Sequence, residues 1–135
     1  MDVKNLELLV ASDEEGVVIT IYQKNGDPYL AKDGTDSTMT VVGSESKKIK
    51  AAKRGMTKRM LKRRRVTLDE MEVERNQIEM AAAAVIDWHG WEKGDKTLEC
   101  TSENVRYVLT IDHIREQVEQ GRDAHADFSL ASSAT

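Results

Sequence analysis

Ser37-Thr38-Met39-Thr40-Val41-Val42-Gly43-Ser44-Glu45-Ser46 holds the end of one structural regime and the start of another. Its first six residues are rich in β-branched side chains and read as a strand. Gly43 ends that strand, and Ser44 or Ser46 is placed to cap a helix. Upstream, Gly16-Val17-Val18-Ile19-Thr20-Ile21-Tyr22 is a second strand candidate. Asn25-Gly26-Asp27-Pro28 follows as a turn, because Asn-Gly favours positive backbone angles and Pro28 removes a ladder donor. A polar, glycine-bearing stretch then runs from Lys32 to Ser37. The expectation is a small antiparallel sheet of two or three strands. A sheet of that size needs a helix to cover one face.

Downstream the period changes. Ile49, Ala52, Met56 and Met60 recur at helical spacing and share one narrow stripe. Basic residues fill most of the remaining circumference, Gly55 weakens the middle, and the helix is expected to end near Arg65. Thr67-Leu68-Asp69-Glu70 has the spacing of a capping box. Behind it Leu68, Met71, Ile78, Ala82, Val85 and Ile86 make an apolar stripe, and Ala81–Ala84 permits close approach by a neighbour. These residues fit a new helix or a kinked continuation of the basic one equally well. Asp87-Trp88-His89-Gly90-Trp91 breaks the pattern, Gly90 and Gly94 mark a loop, and Thr97–Cys100 reads as an extended link. Thr101 or Ser102 then caps a helix with Val105, Val108 and Leu109 inward. A last helix starts at Thr110 or Asp112, with Ile111, Ile114, Val118 and His125 on its stripe. The fold expected is α+β: a small N-terminal antiparallel β-sheet or hairpin packed on a mainly helical body. It forms a single domain over residues 1–128, β-rich to about 43 and helical from 44, with a polar tail at 129–135 expected to fray.

The formal charge of −4 is an average of two unlike parts. Lys47 to Arg65 contains 11 basic residues and no acidic one, which leaves nine basic against 24 acidic residues elsewhere, a balance of −15. A basic run suggests nucleic acid. Against it, the run has no aromatic residue to stack bases and no recognisable nucleic-acid motif. A solvated face that meets acidic protein surface is the favoured reading.

Other classes drop out on spacing. There is no apolar run of about 18 residues to span a membrane. MDVKNLELLVASDEEG has acids on both flanks of a short apolar stretch and does not read as a signal peptide. Cys100 is the single cysteine, so an internal disulfide and a cysteine-based zinc site are excluded. His89, His113 and His125 fall at no metal-ligand spacing. Cys100 reads as a small buried residue and not as a nucleophile. Asp87, Glu92, Asp95 and Glu99 offer a carboxylate cluster of the kind 24 acids produce by chance, and no phosphate loop or GxSxG occurs. The expectation is a protein that is not an enzyme and uses no cofactor or metal. Trp88 and Trp91 are the two tryptophans, with Trp88 favoured for the core and Trp91 left as a possible interface anchor.

The order of these pieces resembles the tail assembly chaperones of long-tailed, siphovirus-like bacteriophages. The likeness rests on Tyr22–Pro28, then Thr40-Val41-Val42-Gly43-Ser44-Glu45-Ser46-Lys47, then an Ala-rich helix into Ala83-Ala84-Val85-Ile86-Asp87-Trp88. It continues through Thr101-Ser102-Glu103-Asn104-Val105 and Ile114-Arg115-Glu116-Gln117-Val118 to Asp127-Phe128, about residues 17–128 in all. The chain departs from the pattern in its dense Lys47–Arg65 cluster and in Leu98-Glu99-Cys100, where Pro and Phe are common. The resemblance implies a binding role in the infected bacterial cytoplasm. The partners would be the tape measure protein, kept soluble, and tail tube subunits, recruited around it. In many such phages a frameshift yields a longer form, of which this chain would be the short one. The residues expected to meet partners are Ile49, Met56, Met60, Arg63, Arg64, Met71 and Trp91. A virion structural role, as a head–tail connector or tail-completion protein, and a nucleic-acid-binding regulator are the alternatives. A homo-oligomer is also open, since the acidic remainder of a second copy complements the basic run.

Overall fold

The computed structural model describes the backbone at residues 14–63 and 69–133 and the side chains at 14–62 and 69–124. The fold is α+β, with small antiparallel sheets packed against a mainly helical body. In chain order the elements are β1 (Val17–Thr20), β2 (Thr38–Val41), α1 (Lys47–Arg63), α2 (Glu70–Ala84), β3 (Val85–His89), β4 (Glu92–Lys93), β5 (Lys96–Thr97), α3 (Ser102–Leu109) and α4 (Asp112–Ser133).

β2 is the central strand, antiparallel to β1 on one side and β3 on the other. Val18 pairs with Thr40, and Met39 with Trp88. The third strand therefore comes from the middle of the chain, where the sequence led us to expect helix and then loop. The helical stripe does not continue through Val85 and Ile86, because α2 stops at Ala84 and the backbone of Val85 is extended. The physical reason is local: a β-branched and aromatic run directly follows four alanines, and it fits a pleated surface better than a helix. Gly90 then turns the chain with φ +83°, and a Cβ there would lie 3.0 Å from both Ala31 Cβ and Ser37 Oγ. Ser37 Oγ donates to the Gly90 carbonyl at 2.8 Å, which ties β3 to the segment before β2.

The core forms where the sheet meets the helices. Ile21, Met39, Val41, Val42, Ile49, Leu109, Ile114 and Val118 are buried to within 2% of completely. α4 crosses the sheet at Gly121, where an added Cβ would come within 3.2 Å of Ile19 Cδ1. The helix starts follow the expected chemistry with one shift. Ser46 Oγ accepts from Ile49 N–H at 3.3 Å, and Thr101 Oγ1 accepts from Asn104 N–H at 3.2 Å. α2 is capped by Asp69, whose carboxylate accepts from Glu72 N–H at 2.8 Å. Thr67 and Leu68, expected at that cap and on that stripe, lie outside the described residues. α1 and α2 have separate bounds, Lys47–Arg63 and Glu70–Ala84. Among the described residues no helix is long and apolar enough to cross a membrane.

Candidate partner-binding surface

α1 packs chiefly against α2, which in turn packs against α3 and α4. α2 is thus an inner helix and α1 an outer one. This ordering follows from size: Ala81 and Ala84, both fully buried, let neighbours approach the C-terminal half of α2 closely. The side of α1 that faces α2 carries Ile49, Ala52, Met56 and Met60, all buried or half-buried, as its spacing predicts.

Two clefts flank the α1–α2 seam. One, of about 430 Å³, has Ile49, Met56, Val73 and Met80 as its apolar lining. Lys53, Glu119, Arg122 and Asp123 lie around it. The other, of about 390 Å³, is lined by Met56 and Met60 with Arg59, Glu72, Arg75, Glu79 and Arg106. Met56 and Asn76 belong to both. Methionine is unbranched and polarisable, so such a lining adapts to differently shaped apolar side chains. An amphipathic helix laid along a groove of this kind is read through anchors at i, i+3, i+4 and i+7. Ile49, Lys53 and Met56 on α1, and Val73, Gln77 and Met80 on α2, share that spacing.

The expected partner residues divide. Met56 and Met60 reach the clefts. Ile49 contributes to a cleft floor but is 1% exposed and belongs to the core. Trp91, at 8% exposure, belongs to the core, with Nε1–H donating to the Thr38 carbonyl at 3.0 Å, and lines neither of these two clefts. Its ring lies 6.0 Å from that of Tyr29 and 5.9 Å from that of Trp88. Trp88, favoured for the core, is the less buried of the two and donates to the Leu98 carbonyl at 2.9 Å. Trp88 packs against the core as expected, and after the Gly90 turn Trp91 joins the core cluster beside it. Met71 is 75% exposed and lines neither cleft, so it is not part of the inward stripe of α2. Arg64 and the side chain of Arg63 lie outside the described residues. Val73, Asn76 and Gln77 were missed, although Val73 and Met80 stand seven residues apart on one helical face.

Charge on α1 is mostly unspent. Among the described residues its cations Lys47, Lys48, Lys53, Arg54, Lys58, Arg59 and Lys62 make no ion pair, and Lys50 pairs with Glu45 at 3.3 Å. A third cleft, of about 330 Å³, lies among Tyr29, Leu30, Trp91, Tyr107 and Ile111, with the Lys93 ammonium 4.9 Å from the Tyr107 ring centre.

The chemistry-bearing groups have structural uses. His89 Nε2 is 2.8 Å from Thr35 Oγ1, and His113 Nε2 hydrogen-bonds the Tyr29 hydroxyl. Burial, and next the Asp87 carboxylate, push the Cys100 thiol pKa up, so it is held protonated at neutral pH. Among the described residues no group of three or more His, Cys, Asp or Glu side chains could hold a metal ion. No family model, no curated protein and no solved structure matches the chain.

Proposed function

We propose that this protein is a tail assembly chaperone that binds the helical tape measure protein along the α1–α2 seam. The observation that carries the reading is the pair of methionine-lined clefts sharing Met56, set on an outer helix with seven cations that make no ion pair among the described residues. The resemblance over residues 17–128 supplies the partner's identity. The clefts supply a physical means: apolar anchors of a passing helix enter them, while the surrounding charges orient it. Tail tube subunits would be recruited to the complex. The role is a binding role and needs no catalytic group.

Co-expression with the phage's tape measure protein tests this. The expected result is that the tape measure becomes soluble and co-purifies, and that Met56→Ser with Met80→Ser abolishes both effects. A tape measure equally soluble without the chain removes the reading. Abundant chain in purified virions, found by mass spectrometry, would favour a virion structural role instead.

A further inference from the structure

The α1 cations have a counterpart on the same chain. On a helix at about 100° per residue, Lys50, Arg54, Lys58 and Lys62 form a continuous row centred opposite the stripe that packs on α2. That row faces away from its own body, and all four side chains are exposed. On α4, Asp112, Glu116, Glu119 and Asp123 stand at i, i+4, i+7 and i+11, a row about 16 Å long within a sector of about 60°. Ile114 and Val118, both buried, lie on the other side of that helix. The Asp112 and Asp123 side chains are 72% and 66% exposed.

The acidic row is only partly neutralised. Arg115 takes Asp112 at 2.9 Å, Glu119 at 3.4 Å and, from α2, Glu74 at 4.0 Å, so three carboxylates share one guanidinium. Arg122 lies 3.1 Å from Asp123, and Glu116 has no ion pair among the described residues. No ion pair joins α1 to α4 within the chain among the described residues. The two rows have matching length and opposite sign, and α1 cannot turn its row toward its own α4 without withdrawing Ile49, Met56 and Met60 from α2.

We infer that the basic row of α1 docks on the acidic row of α4 of a second copy of this chain. The contact is heterologous, since one copy gives α1 and the other α4, so the dimer keeps one free row of each sign and association continues past it. Charge complementarity on the chain itself selects the occupant. The outer face of α1 offers a single large apolar side chain, Leu61, and the lysine-rich remainder lacks the aromatic anchors of a typical heteromeric interface core. Duplex DNA, the competing occupant, would meet a chain that carries −15 outside the basic segment. Because the rows are solvent-exposed, the association is weak and salt-sensitive. It does not rest on the chaperone reading.

Sedimentation of the full chain at about 50 mM and about 500 mM salt tests the inference, with about 100 µM protein. The expected weight-average mass at low salt is at least about twice the 15.2 kDa monomer, rises with concentration, and returns to monomer at high salt. Arg54→Glu/Lys58→Glu/Lys62→Glu is expected to be monomeric, as is Glu116→Lys/Asp123→Lys. Both leave the groups around Arg115 in place. Mixed in equal amounts, the two variants are expected to form a dimer that grows no further: the acidic α4 row of the first meets the basic α1 row of the second, while the second's α4 row, with Asp112 and Glu119 kept, has no net charge. A monomer at low salt, a mass insensitive to salt, or variants that still associate overturns the inference. So does a mixture that stays monomeric, or a wild-type chain that binds a mixed-sequence DNA duplex while remaining monomeric.

Discussion

The segment Thr101–Val118 and the α1–α2 seam are both rich in polar side chains but use them in opposite ways. In the first, side chains close the fold. Thr101 caps α3, and Asn104 Nδ2–H donates to the Glu99 carbonyl at 2.9 Å. Arg115, 7% exposed, donates to the Leu109 carbonyl at 3.1 Å and to Asp112. Gln117 grips one residue from both sides: its amide donates to the Tyr22 carbonyl and its carbonyl accepts from Tyr22 N–H, each at 2.8 Å. That pair fastens α4 to the end of the first strand across 95 residues of chain. Along the seam, by contrast, methionines line open clefts and seven cations have no ion-pair partner among the described residues. Side chains committed to internal contacts hold a framework, whereas uncommitted ones are available for binding.

The contrast can be broken by mutation, beginning with the framework. Arg115→Ala is expected to cost about 3 kcal/mol, because it leaves a buried carbonyl unpaired and three carboxylates without their shared cation. A urea titration followed by circular dichroism reads this as a lower midpoint with an unchanged slope. Gly90→Ala is expected to cost about 2 kcal/mol, from the positive φ and the 3.0 Å approach to Ala31 and Ser37. Gln117→Ala removes two hydrogen bonds and is expected to cost about 1–2 kcal/mol, with faster amide exchange at Tyr22. At the seam the order reverses. Met71→Ser is expected to change stability by less than about 0.5 kcal/mol and to leave partner binding intact, since Met71 is exposed and outside both clefts. If Met71→Ser disrupts binding as Met56→Ser does, the division of the expected partner residues is wrong.

The smallest effect is chemical. Cys100 is expected to react with a maleimide at pH 7.5 several-fold more slowly than the same cysteine in the urea-unfolded chain, because burial and then Asp87 raise its pKa. The same shift has a stability consequence. The thiol holds its proton more tightly when folded, so its contribution is fully present below the ordinary thiol value and is lost as pH rises through the raised folded value.

What could be read from the sequence follows the range of the interactions. The β1 and β2 strands, the apolar stripe of α1 and the caps at Ser46 and Thr101 depend on residues within four positions of each other, and all were legible. β3 was not, because an apolar run after a helical pattern is ambiguous until a sheet edge is present to receive it. The burial of Trp91 has the same origin, since the Gly90 turn brings its ring beside those of Trp88 and Tyr29. Met56 and Met60 were found because one helix's periodicity places them. Val73 and Gln77 escaped because a cleft between two helices has no signature in either one alone. The internal use of Arg115 and Gln117 depends on contacts with Leu109, Glu74 and Tyr22 that only the packed chain brings together.

Hydrogen exchange of the full chain, with and without the tape measure protein proposed as its partner, tests the division of labour most directly. Protection is expected to rise across residues 47–62 and 70–84, where the clefts lie, and to stay unchanged across 101–118, which is already closed by internal bonds. New protection confined to the cleft around Tyr29, Leu30, Tyr107 and Ile111, with none along α1 and α2, would contradict it.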